Sequence, residues 1–291
     1  MLPKTLNLSR LYGWVSGIST THNLKEMMKV KKDLRADVAS HILQWLNVDL
    51  SPWRTKIGNP VNVSGCKKYK GINALILNCF ASERNFTSVY WGAMPSWSNK
   101  NIFIKKKPDS VEKGAYAAKI FKDDMGKTYP VFNTEHCCGL NLKLYSGSLK
   151  LNEDYSLIEK IIKATNIAIF ENSSNIAIFD FGDLSIHIPK RASLFSDTQY
   201  YGILIHELSH WVESQTGWEG EEHKSELIAE MATSFLRGEL NLPDDDDFAN
   251  HNLYVSKWKD HIHEDPNYLF EAAAQASKNV DHLLNLVGLQ R

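Results

Sequence analysis

Apolar positions recur at intervals of three and four through much of this chain of 291 residues, and the longest such stripes lie in its second half. Tyr201, Leu204, Ile205, Leu208, Trp211 and Val212 form one stripe. That period matches an amphipathic helix with one buried face. Asp197 or Thr198 can cap its start, and Gly217 can end it. After a polar, glycine-containing turn, Leu227, Ile228, Met231, Phe235 and Leu236 predict a second helix. The connection is short, which favours an antiparallel pair. Leu157–Ala164 and two segments near 250–262 and 266–287 also read as helices. In the first half, Leu34, Val38, Ile42, Trp45 and Leu46 place a helix over about 31–47, and Ala74–Phe80 another. Short β-type segments around Tyr90, Ile102–Ile104, Ala115–Phe121 and Tyr129–Phe132 are separated by turn residues. Ile167–Phe170, Ile176–Phe181 and Leu184–Ile188 read as three further strands. Mixed helices and strands in this order predict an α+β protein. The polar stretch Asn141–Asn152, with Ser146-Gly147-Ser148 inside it, is the natural boundary between two domains, 29–148 and 149–291. Residues 1–28 read as a loosely structured extension.

The first of the two long helices carries His206-Glu207-Leu208-Ser209-His210. Histidines four apart lie one above the other on a helix face, so both imidazoles can reach one zinc ion. Glu207, beside the first of them, is placed as a general base for an attacking water. The five-residue pattern also occurs by chance in unrelated helices, where the histidines are surface or core residues. The second helix changes the balance. A zinc site of this kind needs a third protein ligand, and Glu226 and Glu230 share a face of that helix. Glu226 is expected as the third ligand, and Glu230, one turn on, as the acceptor for the other N–H of a ligating imidazole. The pattern marks a candidate metallohydrolase. Tyr200, Tyr201, His187 and His223 are the candidates for the donor to the carbonyl oxygen, and Leu184–Ile188 for pairing with an extended substrate.

Charge divides the chain. Residues 1–140 hold 21 Lys and Arg against 10 Asp and Glu, whereas residues 141–291 hold 12 against 24. Such asymmetry points to two units with different partners. Lys67, Lys68 and Lys70 surround Tyr69, and Lys105, Lys106 and Lys107 follow Phe103, with Trp91 and Trp97 nearby. Cations interleaved with aromatics suit a single-strand groove, where amines track phosphates and rings stack on bases. The same pattern equally describes core tryptophans beside a solvated lysine face. Asp244–Asp247 reads as a solvated acidic loop, with calcium binding as its alternative. Cys66, Cys79, Cys137 and Cys138 lack metal-finger spacing and read as reduced thiols of a cytoplasmic protein. No apolar run approaches membrane-spanning length, and the N-terminus lacks the apolar centre of a signal peptide.

Several motifs in order resemble the ArdC-type antirestriction family. In the first half they are Pro52-Trp53, Gly58-Asn59-Pro60-Val61-Asn62, Tyr69-Lys70-Gly71-Ile72-Asn73-Ala74-Leu75-Ile76-Leu77 and Val131-Phe132-Asn133. In the second they are Tyr200-Tyr201, His206 to Trp211, Ser225 to Glu230, Phe235-Leu236, then Asn252, Tyr254, Trp258 and Asp265-Pro266. The likeness runs over roughly residues 31 to 288. It departs at Met94-Pro95-Ser96-Trp97-Ser98 and in the basic turn around Lys105–Pro108. The resemblance implies an N-terminal single-stranded-DNA-binding domain and a C-terminal zincin-like metallopeptidase domain with one zinc ion. It adds Trp53 and Asn73 to the expected DNA-contacting residues. It also implies a role on a mobile element, protecting incoming single-stranded DNA from host defences, with a host defence protein as the kind of substrate to expect. Two alternatives remain at this point: a DNA-coating protein whose metal domain is structural or silent, and a metal-dependent nuclease.

Overall fold

The computed structural model describes residues 34–47, 53, 58–112, 114–122, 127–147, 151, 153–174, 176–243 and 252–291. The extension at 1–28 and the acidic run Asp244–Asp247 lie outside the described residues. The fold is α+β. In the first half, helix α1 (Leu34–Leu46) and helix α2 (Gly71–Glu83) accompany a four-stranded sheet. Its strands are β1 (Val61–Asn62), β2 (Tyr90–Gly92), β4 (Ala118–Phe121) and β5 (Thr128–Asn133), in the order β1-β2-β5-β4. Only β1 and β2 run parallel. The short helix α3 (Met94–Ser98) leads to β3 (Phe103–Ile104), which pairs with β6 (Cys137–Cys138) as a separate antiparallel ribbon.

The second half begins with α4 (Ser156–Thr165) and a three-stranded sheet. Here β7 (Ala168–Asn172) lies parallel to β9 (Ser185–Pro189), and β8 (Ile178–Asp180) antiparallel to it, in the order β7-β9-β8. Four helices follow: α5 (Asp197–Thr216), α6 (Glu222–Leu240), α7 (Asn252–Glu264) and α8 (Asn267–Asn285). The stripe from Tyr201 to Val212 is buried, as its period predicts. Ser196, one residue before the expected cap, caps α5 by accepting the Gln199 N–H at 3.1 Å. Gly217 ends the helix at φ 64°, a left-handed conformation that costs glycine little.

The main core crosses from one half to the other. Val38, Ile42, Leu46, Trp53 and Leu75 share one buried cluster with the stripes of α5, α6 and α8. Trp53 meets Trp258 of α7 edge to face, with ring centroids 5.6 Å apart. Polar contacts add to this seam. The Lys68 ammonium donates to the carbonyls of Gly238 and Glu239 and to Asn241 Oδ1, at 2.9, 2.6 and 3.1 Å. A cation suits those orphaned carbonyls at the C-terminal end of α6. Asn59 donates to the Phe235 carbonyl at 3.3 Å, and the Ser234 hydroxyl donates to the Trp53 carbonyl. The helix that carries Glu226 and Glu230 is therefore gripped at its far end by residues from the first half.

Candidate metal centre

His206 and His210 project from the middle of α5 on one face, with ring centroids 5.1 Å apart. The antiparallel α6 brings Glu226 against them. His206 Nε2 lies 3.2 Å from Glu226 Oε2, His210 Nε2 lies 3.5 Å from Glu226 Oε1, and the two Nε2 atoms are 3.3 Å apart. In a tetrahedron with metal–ligand bonds of about 2.0–2.1 Å, neighbouring ligand atoms are separated by about 3.3 Å. Two imidazoles and a carboxylate already held at that spacing fit a metal ion with little rearrangement.

The outer atoms of both rings are also engaged. His206 Nδ1 faces Glu230 Oε1 at 3.6 Å. His210 Nδ1 is 2.9 Å from Ser225 Oγ and 3.2 Å from Glu213 Oε2, and Ser225 donates to Glu213 at 2.6 Å. Glu213 and Ser225 were absent from the sequence-based set. Glu213 sits three residues after His210, so helical spacing alone could have singled it out. Such partners fix ring orientation and raise ligand basicity, and losing them typically weakens metal binding about 10- to 100-fold. Ser225→Ala is therefore expected to weaken metal binding by that factor with the fold intact, measured by competition against a chelating dye. Unchanged affinity would leave Ser225 with only a packing role.

Burial opposes a positive charge on His206 and His210, yet hydrogen bonds to Glu226, and for His210 to Glu213, outweigh it and raise both imidazoles above their ordinary pKa. Burial likewise works against ionised Glu226, but the two histidines hold its carboxyl well below the usual range. Glu207 differs from its neighbour Glu226. Burial dominates there and pushes its carboxyl up, against the opposing pull of His206 and His210.

Ile178 and Phe179 of β8 border the cleft together with Glu207. Both flanks of β9 are already paired, so Leu184–Ile188 has no free backbone edge to offer a substrate. Of the two outer strands, β8 is the one that lines the cleft with Glu207. The cleft encloses about 690 Å³ and is bounded further by Ile203, Trp218, Tyr254 and Trp258. None of the four expected carbonyl-oxygen donors lines it. The Tyr201 hydroxyl bonds Glu159, Tyr200 lies under the Arg191 guanidinium, His187 stacks on Phe170, and His223 stacks on His261. The phenol on the cleft wall is that of Tyr254, which donates to Glu222 Oε1 at 2.7 Å. It reaches the site from α7, too far along the chain for local spacing to indicate.

The expected DNA-contacting residues are scattered. Trp53, Trp91 and Trp97 are core side chains with at most 1% exposure, and Tyr69 is buried as well. An enclosed ring has no free face for a base, so these four are corrected to structural residues. Lys68 is spent on the end of α6, as described above. Asn73 ties its side chain to both backbone atoms of Phe121 at 2.9 Å. The Lys70 ammonium donates to the Arg291 carbonyl at 2.7 Å. Lys67, Lys105 and Lys106 are exposed, and Lys107 is half-buried with its ammonium bonded to the Pro108 and Val111 carbonyls. All four cysteines are free thiols. No helix among the described residues is long and apolar enough to cross a membrane.

Comparison with known proteins agrees with this architecture. Residues 32–132 match the N-terminal domain of anti-restriction factor ArdC, and residues 156–275 match a zincin-like metallopeptidase domain. The solved structure of the antirestriction ArdC protein from the R388 plasmid, in its metal-free form, is 27% identical. It superposes with a TM-score of 0.71 over 89% of this chain and 100% of that one. The two halves of this chain thus resemble, in order, the two parts of an ArdC-type antirestriction protein. The Mn(II)-bound structure of the same R388 protein is 25% identical over the same shares of both chains, with a TM-score of 0.72. That R388 protein therefore binds a metal ion. Among curated proteins, a DNA primase TraC of Escherichia coli is 28% identical over 89% of this chain, which spans only 28% of that relative's length. A second TraC primase of Escherichia coli is 26% identical, with 20% of its length covered. The protein y4eC of Sinorhizobium fredii is 22% identical over 86% of this chain and 91% of its own.

Proposed function

We propose that this chain binds single-stranded DNA and carries a zinc-dependent peptidase, and that together they protect incoming DNA of a mobile element from host defence. The observation that carries the reading is the convergence of His206, His210 and Glu226 at ligand spacing, in an open cleft, with Glu207 lining the same cleft. We assign residues 29–148 to the DNA-binding domain and 149–291 to the peptidase domain, joined by a common core. Two nitrogens and one carboxylate oxygen are a donor set that suits zinc. When bound, the metal supplies Lewis acidity toward a scissile carbonyl and an attacking water.

The chain's own residues supply the rest. An extended peptide pairs with the free edge of β8 and is thereby oriented across the cleft. Glu207 takes the proton of the attacking water and passes it to the leaving amine; its raised pKa suits both steps. Tyr254 is the hydroxyl placed to turn from Glu222 toward the carbonyl oxygen. A closed structural zinc would need neither the base nor the cleft, which speaks against a silent metal domain. A lone metal held by two histidines and a glutamate is also more typical of carbonyl than of phosphodiester hydrolysis.

The test incubates the full chain, loaded with zinc, with a panel of folded proteins, with and without a single-stranded oligothymidine. Cleavage that disappears in Glu207→Gln is the expected result. Oligothymidine binding without any cleavage would leave the DNA-coating function, and oligonucleotide fragments would reveal a nuclease.

A further inference from the structure

With Trp53, Trp91 and Trp97 enclosed, a single-strand surface needs rings and cations that remain outside the cores. The β3–β6 ribbon provides both. Side chains alternate between the two faces of a strand, and here the alternation is marked: Ile102 and Cys137 are fully buried, whereas Phe103 is 60% exposed. Phe103 and Cys138 are register partners, so their side chains share the outer face, with Lys105 two residues on. Phe103 belongs to none of the three hydrophobic clusters.

The surroundings are cationic. The Lys105 ammonium donates to the Glu135 carbonyl at 3.0 Å and stays exposed, and exposed Lys106 follows it. Lys100 sits with its ammonium 5.0 Å from the Tyr145 ring centroid. The nearby Glu135 carboxylate is occupied by the Thr87 N–H and hydroxyl at 2.6 and 3.0 Å. Gly139, at φ 143°, lets the next turn close on the ribbon, since a Cβ there would meet the Asn101 carbonyl oxygen at 2.8 Å. That turn presents Leu140, which is 99% exposed. An exposed aromatic and an aliphatic flanked by amines form an unpartnered apolar face with a positive rim, which matches a chain of bases and phosphates.

We propose that the outer face of the β3–β6 ribbon is the single-strand contact surface, with Phe103 as the stacking ring and Lys105 and Lys106 on the phosphates. The inference rests on the proposed DNA-binding function and gives it residues other than the buried tryptophans. Stacking contributes about 1–3 kcal/mol per base, so removing one ring corresponds to about a 5- to 150-fold loss of affinity.

The test measures binding of a fluorescent oligothymidine to the full chain. Phe103→Ala and Phe103→Leu are both expected to lose affinity in that range, and Phe103→Trp to keep it, because only a ring can stack. Changing Lys105 and Lys106 to Gln should each flatten the log–log salt dependence by about 0.7. Cys138 is an independent reporter: Cys79 and Cys137 are buried, so in Cys66→Ser it is the sole exposed thiol. Oligothymidine should slow its alkylation by a maleimide. A wild-type chain that binds oligothymidine while Phe103→Ala binds as well, with Cys138 unprotected, overturns the surface and leaves DNA binding standing. A wild-type chain that does not bind at all overturns both.

Discussion

Replacing His206 or His210 with alanine is expected to take bound metal from one ion per chain to none after dialysis, measured by mass spectrometry of the metal. Each change removes one of three converging donors, and a remaining imidazole–carboxylate pair cannot complete a tetrahedral site. Glu230→Gln should keep the ion, because Glu230 faces the outer nitrogen of His206 and not the shared centre. Thermal denaturation gives a second readout. An ion that binds only the folded state stabilises it by about 2.7 kcal/mol at a hundredfold excess over Kd, so a chelator should lower the Tm of the wild type and leave both variants unchanged. The pH dependence has a defined sign. Metal binds imidazoles that have lost their protons, and in the metal-free protein both rings hold theirs to a higher pH than usual. Apparent affinity should therefore rise with pH and begin to fall, on acidification, above the ordinary histidine value of about 6.5. Full metal content in both alanine variants would remove this centre from consideration.

What could be read from the sequence divides along the range of the interactions involved. The stripe of α5, its glycine terminus and the histidine pair are all set by residues within a turn or two of one another, and they appear where the period places them. Glu226 was reachable because a short connection forces α6 back along α5. Glu213 is equally local but falls outside the familiar five residues. The failures are tertiary. Whether β9 or β8 offers a free edge depends on which strands pair, and Leu184–Ile188 reads as a strand in either arrangement. Tyr254 arrives from another helix. The aromatics of the first half show the limit most plainly. Trp97 and Phe103 lie six residues apart, on either side of Lys100. One is sealed in a satellite core, its indole N–H donating to the Phe132 carbonyl at 3.0 Å, while the other stands in solvent. Nothing in local composition separates them. Lys68 likewise reads as a surface cation until the end of α6 is seen beside it.

Glu207→Gln is expected to keep the metal and lose about 10²- to 10⁴-fold in turnover, the usual share of a general base. Gln has the same shape, so the packing around the site should stay in place. Stability supplies a readout that does not depend on knowing the substrate. Burial raises the folded-state pKa of Glu207 above its unfolded value, so the folded protein binds this proton more tightly than the unfolded one. The sign follows from linkage. Stability from this group is present at low pH and is lost as pH rises through the folded pKa, leaving a buried anion at a cost near neutrality. Removing that anion should raise the Tm of the metal-free protein at neutral pH, and the gain should shrink on acidification as wild-type Glu207 takes up its proton. The wild type should also lose activity on acidification at a higher pH than an ordinary glutamate, near 4.3, would set, because a protonated base cannot accept the water's proton. Metal lost together with activity in Glu207→Gln would make Glu207 a ligand and not a base. A lower Tm would mean that the carboxylate was placed to hold the fold. A higher Tm with the metal retained and turnover lost identifies a group kept charged in a buried site for its chemistry, at the expense of stability.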